Sequence, residues 1–334
     1  MIDPTTDTTD TSTISITVQP LEFTVLGSRG QLGPAPGAEA GYSGTGLAGA
    51  VTISAGESFP DYRGYQKWTV PLSGTYRIEA AGAAGGSSSN AGGGAVMAGD
   101  FYLTVGDVLV IVVGQQSGDR VTNGNNGDAD ANCLGGGGSF VARANGDPLL
   151  VAGGGSGGYS SNQGQGGVAG EAASGSFSYA GSSGQGGTST QAGAGYYSDC
   201  DTLGCTSTSY FHEYPQSFMD GGAVGGYYSG TGSYGGFGGG AGGYSGGGMG
   251  AGGGYSGGGS DGNGGGSPQG GGSSFNTGSN QVNTAGTVRL CRHVHSMHTA
   301  AQAPAETTNL LAAFRTGNRL CQAGKQTASC ALRR

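Results

Sequence analysis

The chain has 334 residues, 79 of them Gly and only 10% charged, with a formal net charge of -8 and a pI near 4.8. That balance argues against nucleic acid or an anionic membrane surface as partner, and because no Lys or Arg occurs from Ala144 to Val288, an Arg-Gly-Gly RNA-binding tract is excluded on chemistry. The longest unbroken apolar run, Val108 to Val113, falls far short of the roughly 20 residues that cross a bilayer, so no direct membrane insertion is expected.

Residues 1–12, rich in Thr and Asp, read as a disordered lead-in. Ile14, Ile16 and Val18 then alternate with polar residues as a half-buried strand does, until Pro20 stops them. Leu21 to Leu26 is a second short strand, and residues 27–46, with Pro34 and Pro36, read as loop. From Val51 the strand signals crowd together. Val51-Thr52-Ile53 alternates, Trp68 sits between polar neighbours, and Thr75 to Ala80 alternates after the turn at Leu72-Ser73-Gly74. Phe101, Leu103 and Val105 alternate next, and Gly106-Asp107 turns the chain into Val108–Val113. A run apolar on both faces belongs at the centre of a sandwich. Ser139–Ala142 and Leu149–Ala152 add two strands. Short strands at this spacing, without helical periodicity, predict an all-β sandwich or jelly roll over residues 13–152 with one modest core.

Residues 153–285 are dominated by glycine. Glycine has no side chain to bury and loses more backbone entropy on ordering than any other residue, so such a stretch is either a solvated tract or a packed bundle of polyproline-II-type segments bonded through their amides. Strand-like residues 286–291 follow, including Gly286-Thr287-Val288-Arg289-Leu290. A strand on each side makes the field an insertion with anchored ends, which lowers the entropic cost of ordering it. In a bundle, Tyr227, Tyr228, Tyr234, Phe237, Tyr244 and Tyr255 are expected on outer faces, where the tyrosines could meet a ligand. Residues 292–334 form a basic tail of low order, with one short helix possible over Thr307 to Leu320.

Candidate chemistry is sparse. Asp128, Asp130 and Asn132 have the spacing of the first oxygen ligands of a calcium loop, but Cys133 stands where such a loop needs Gly, so a plain polar loop is the preferred reading. Cys291, His293, His295 and His298 could in principle hold zinc, yet they lack a partner Cys pair. His212, beside Glu213, has no nucleophile near it in sequence. Six cysteines allow 15 pairings, of which Cys200 with Cys205 would close a small local loop. There is no Asn-x-Ser/Thr sequon, and the N-terminus lacks the basic and apolar regions of a signal peptide. This reading assigns no catalytic residue and no cofactor.

Several stretches, in order, resemble one known family. Lys67–Pro71, Gly74–Ile78, Ala80–Gly86, Val110–Gln116, Leu134–Val141, Leu149–Gly155, Gly270–Phe275 and Gly286–Leu290 are similar to the glycine-rich extracellular region of the anaplastic lymphoma kinase and leukocyte tyrosine kinase receptors. The resemblance covers about residues 21–291. It implies a tumour-necrosis-factor-like sandwich with an inserted bundle of polyglycine helices, displayed extracellularly and binding a small protein ligand. No His-Arg-Asp, Asp-Phe-Gly or Val-Ala-Ile-Lys motif is present, so the resemblance brings no phosphotransfer chemistry. The alternatives are a glycine-rich wall, matrix or adhesin protein and a Tyr/Gly/Ser condensate-forming tract.

Overall fold

The computed structural model describes residues 20–86, 90–117, 134–158, 165, 167–171, 179–200, 202–203, 211–228, 233–243, 249–260, 269–288 and 297–302. The described strands are β1 (Leu21–Phe23), β2 (Val51–Ile53), β3 (Gln66–Thr69), β4 (Gly74–Ala81), β5 (Gly94–Leu103), β6 (Val108–Val112), β7 (Ser139–Arg143), β8 (Pro148–Ala152), β9 (Phe211–Glu213), β10 (Tyr227–Tyr228), β11 (Ser233–Tyr234), β12 (Phe275–Asn276), β13 (Ser279–Val288) and β14 (Met297–Gln302). They form a five-stranded sheet in the order β1-β14-β4-β5-β13, a six-stranded sheet in the order β12-β8-β7-β6-β3-β2, and a small ribbon β11-β10-β9. Every pairing between these strands is antiparallel. The described chain is therefore all-β apart from one short 3-10 turn, Ala38–Tyr42, within the stretch expected to be loop.

Alternation along the strands sorts side chains into two separate cores. Leu109 and Ile111 of β6 join Trp68, Ile78, Met97, Leu103, Val141 and Leu150 in one cluster. Val110 and Val112, the intervening residues, join Phe140 and Val151 in a second. Successive side chains of a strand point to opposite faces, so the six-stranded sheet is a middle layer, dry on both sides. This is why β6 reads as an unbroken apolar run.

The second core is completed by Tyr196, Phe218, Ala223, Phe237 and Tyr255, all from the glycine field, so Phe237, expected on an outer face, is instead buried against the six-stranded sheet. Apolar residues concentrated before residue 152 had predicted one core, and the structure corrects this. Phe218 is the centre of the contact, stacking on Tyr65 and Phe140 with centroids 5.0 Å away in each case and on Tyr196 at 4.8 Å. Burying a side chain of this size contributes about 1.5–3 kcal/mol, so a few aromatic residues suffice to seat a large segment. The Tyr65 hydroxyl donates to the Phe218 carbonyl at 2.6 Å, and the Tyr196 hydroxyl to the Gly146 carbonyl at 2.9 Å.

Strand connections differ sharply at the two ends of the sheets. Val70–Ser73, Thr104–Asp107 and Ala144–Asp147 are short turns joining β3 to β4, β5 to β6 and β7 to β8. At the other end, β4 to β5, β6 to β7 and β8 to β12 are joined through residues 82–93, 113–138 and 153–274, all glycine-rich. The glycine layer thus draws on three excursions, including stretches before residue 152, and not on the 153–285 insertion alone.

Amides in this layer reach partners with a period of three. Ala83 and Gly86 donate to Gly137 and Leu134, Gly135 and Gly138 to Ala241 and Gly238, and Gly154 and Gly157 to Gly253 and Gly250. Gly193 and Tyr196 donate to Gly258 and Tyr255, while Gly270 and Ser273 donate to Gly259 and Ser256. Intervening amides turn to other neighbours, as Gly136 does to Gly155 and Gly137 to Gln115. Such close approach leaves no space for side chains: a Cβ on Gly137 would overlap the Phe237 carbonyl, and one on Gly257 the Gly193 carbonyl. Buried serines fill the remaining gaps. Ser274 Oγ accepts from the Gly153 amide at 3.0 Å, and Ser156 Oγ accepts from Gln165 at 2.8 Å while donating to the Gln269 carbonyl at 2.8 Å.

Three further boundaries differ from the sequence reading. Val105 lies past the end of β5 and is 59% exposed, because the chain turns at Gly106, whose φ is +89°. The strand expected over 286–291 is β13, which already starts at Ser279. Residues 297–302, assigned to the low-order tail, form β14 between β1 and β4, with Thr299 opposite both Leu21 and Ile78. Backbone pairing between two strands supplies the order there that side-chain pattern does not announce. The strand expected over residues 14–18 lies outside the described residues.

Candidate recognition surface

The residues singled out by sequence end in different places. Asp128, Asp130, Asn132, Tyr244, Cys205, Cys291, His293 and His295 lie outside the described residues. His298 is in β14, across from Glu79 of β4. Tyr228 is in β10. Among the described residues, no group of three or more His, Cys, Asp or Glu could hold a metal ion. No helix among them is long and apolar enough to cross a membrane.

Tyr255 was expected to face a ligand, and the structure corrects that assignment. It is 8% exposed, stacked on Phe275 at 4.4 Å, and its carbonyl accepts from the Tyr196 amide at 2.8 Å. Once a segment's amides are shared among several neighbours, its rings must point wherever a gap exists, and here the gap lies against the six-stranded sheet. Burial, and the charges of Tyr197 and Glu171 nearby, raise its phenol above the ordinary value. Tyr227 and Tyr234 remain half-buried, stacked face to face at 4.5 Å across the β10–β11 pair. Burial and the adjoining Tyr227, then Glu213, raise the Tyr234 phenol.

Among the described residues of the layer, Tyr179 and Tyr197 are exposed aromatic residues that spacing did not single out. Tyr197 is 46% exposed and Tyr179 is 44% exposed. Tyr197 is fixed: its amide donates to Gly184 at 2.8 Å, and its ring meets Tyr196 edge-on at 4.8 Å and Tyr255 at 6.3 Å. The only sequence signal was the pair Tyr196-Tyr197 itself, since adjacent residues of an extended chain face different ways and one of two rings is left outside.

Main-chain bonds make these rings part of one surface. Thr188 donates to the Tyr179 carbonyl at 2.9 Å, the Cys200 sulfur lies 3.2 Å from the Ser189 carbonyl oxygen, and Leu203, 37% exposed, donates to Asp199. Asp199 locks the turn, accepting from the Thr202 amide at 2.9 Å, the Thr202 hydroxyl at 2.8 Å and the Ser217 amide at 3.2 Å. Cys200 is buried, 1% exposed.

Over residues 145–288, the longest of the stretches that build this layer, charge has one sign. Residues 145–288 contain Asp147, Glu171, Asp199, Asp201, Glu213, Asp220 and Asp261 and no Lys or Arg. The field is felt by nearby phenols: beyond burial, Asp220 and Asp199 push the Tyr62 hydroxyl up, and Tyr197 followed by Asp147 do the same to Tyr196. Chemically, the surface offers rigid aromatic and apolar contacts within a negative potential. No protein-family model matches the chain.

Proposed function

We propose that the chain is a non-catalytic extracellular recognition module, built like the ligand-binding ectodomain of anaplastic lymphoma kinase-type receptors. In this reading the sheets form a tumour-necrosis-factor-like sandwich, the period-of-three segments are polyglycine-II-type helices, and Cys200 pairs with Cys205 in a small clip. The protein ligand docks on the glycine layer around Tyr179, Tyr197 and Leu203. The observation that supports it best is that pair of anchored, exposed tyrosines on a layer whose backbone is hydrogen-bonded between segments, within a stretch, residues 145–288, whose charged residues are all acidic. Amphipathic rings held at low entropic cost suit protein interfaces, and an acidic surface favours a basic partner.

The test uses the full chain titrated with poly-L-lysine, and with poly-L-glutamate as control, while amide hydrogen exchange is followed. The expected result is salt-dependent binding of the lysine polymer, with added protection over residues 179–203 and weaker binding by Tyr197→Ala. A footprint confined to the sheets, or no binding, overturns the reading. A load-bearing matrix protein would use the same backbone packing, and would show protection of the glycine segments without a docking footprint.

A further inference from the structure

Sequence spacing marks Tyr227 and Tyr234 for a ligand, and the surface around Tyr179 and Tyr197 leaves them unused. They sit in the ribbon β11-β10-β9, where Tyr234 is directly opposite Tyr227 and Tyr227 directly opposite Glu213. Residues directly opposite each other in antiparallel strands share a face, with the strands about 4.8 Å apart, so these three form a row across one face of the ribbon. The two rings stack nearly parallel, with centroids 4.5 Å apart and planes inclined by 19°. That stack occupies the Tyr234 side of Tyr227, and the other side of Tyr227 is toward the strand that carries Glu213. Both tyrosines are half-buried and Glu213 is exposed, so the row reaches solvent. Gln31 holds the Glu213 carboxylate in place by donating from Nε2, and its own carbonyl accepts from the Gly225 amide at 3.0 Å, two residues before Tyr227. Gln31 is neutral and residues 145–288 contain no Lys or Arg, so that stretch leaves the carboxylate without a counter-charge.

We infer that Glu213 and the stacked Tyr227 and Tyr234 rings form a subsite for an arginine side chain of a protein partner. The chemistry of the row selects this occupant. A guanidinium is planar and weakly hydrated, so it lies against an aromatic ring while its N–H groups donate to a carboxylate. A compact, strongly hydrated ammonium gains less from the rings, an apolar side chain leaves Glu213 without a counter-charge, and an anion is repelled by it. Rings already stacked and a carboxylate already anchored by Gln31 need little further ordering when the ligand arrives. The subsite includes none of Tyr179, Tyr197 and Leu203, and it rests on the recognition reading only in drawing its arginine from a protein.

The test follows backbone amide shifts of the full chain by NMR at constant ionic strength while N-acetyl-arginine amide is added, with the neutral isostere N-acetyl-citrulline amide as control. The arginine probe should shift the amides of Glu213, Tyr227 and Tyr234 saturably, and the citrulline probe should not. Glu213→Gln, which keeps an acceptor for Gln31, should weaken binding about fivefold. Tyr227→Leu should weaken it about two- to fivefold, and Tyr227→Phe, which keeps the ring, should leave it unchanged. Equal binding of citrulline overturns the proposal, as does a Glu213→Gln or Tyr227→Leu variant that binds as well as wild type. Arginine shifts confined to residues 179–203 overturn it while sparing the surface there. Ribbon shifts without a poly-L-lysine footprint over 179–203 uphold the subsite and count against that surface instead.

Discussion

The space between the two sheets and the glycine layer on the far side of the six-stranded sheet are both dry, yet different chemistry holds them. Between the sheets, Trp68, Ile78, Met97 and Leu109 remove apolar area from water and the backbone follows. In the glycine layer the order is reversed: main-chain amides of 83–86, 134–138, 153–157 and 249–260 satisfy one another, and few side chains intervene. A backbone hydrogen bond contributes about 1 kcal/mol net, whereas fixing one backbone costs about 1–2 kcal/mol, and more for glycine. Hydrogen bonds alone therefore do not hold this layer. It depends on strand ends that launch its segments in fixed directions and on the aromatic contact centred on Phe218. Such a layer is a dependant of the sandwich and has no stability apart from it.

The largest effect that could break this view is a single methyl group in the layer. Gly137→Ala and Gly257→Ala should each cost about 4 kcal/mol or more, because the new Cβ overlaps a carbonyl that cannot move without its own partners. Gly170→Ala, where nothing lies within 4 Å, should change stability by less than about 1 kcal/mol in either direction. Thermal unfolding followed by circular dichroism measures all three, and equal tolerance at Gly137 and Gly170 would refute packing through the backbone.

Removing the aromatic contact should cost somewhat less and separate the two regions. Phe218→Ala is expected to cost about 3–5 kcal/mol and to release the amides of Gly193, Ala194, Tyr196 and Gly238 to hydrogen exchange while those of β4 and β5 stay protected. Uniform loss of protection would mean that the layer and the sandwich form one cooperative unit, against the comparison drawn above.

Changing pH gives the smallest effect at the acid end and a larger one at the alkaline end. Burial raises the phenols of Tyr65 and Tyr196, both in the second core. A raised folded value means that their contribution is whole below the unfolded value near 10 and declines as pH rises beyond it, so tyrosinate absorbance should appear together with unfolding. Asp107 is held below the ordinary carboxylate value by the Thr104 amide and then by Arg143. Its contribution is present above the unfolded value near 4 and disappears as pH falls below it. Asp107→Asn should therefore flatten the acid limb of stability by about 1 kcal/mol or less.

The middle of the sandwich was legible because its signals are local. Two-faced burial of β6 shows as a continuous apolar run, and the placement of Trp68 between polar neighbours shows as alternation. The partners in the glycine layer were not legible. Gly136 bonds to Gly155 and receives from Gly253, and no residue type distinguishes those glycines from dozens of others. For the same reason the sequence could not say which tyrosines are buried: Tyr255 and Tyr244 share one local context, and Tyr196 and Tyr197 are neighbours with opposite fates. Local pattern is enough to specify an all-β chain, its central strand, its turns and an acidic glycine field anchored at both ends. Long-range packing settles that the field covers the second face of the sheet, that Phe218 seats it, that residues 297–302 join the other sheet, and that Tyr197 is left outside. Those outcomes rest on contacts between residues far apart in the chain, and glycine, lacking a side chain, carries no record of which neighbour it will meet.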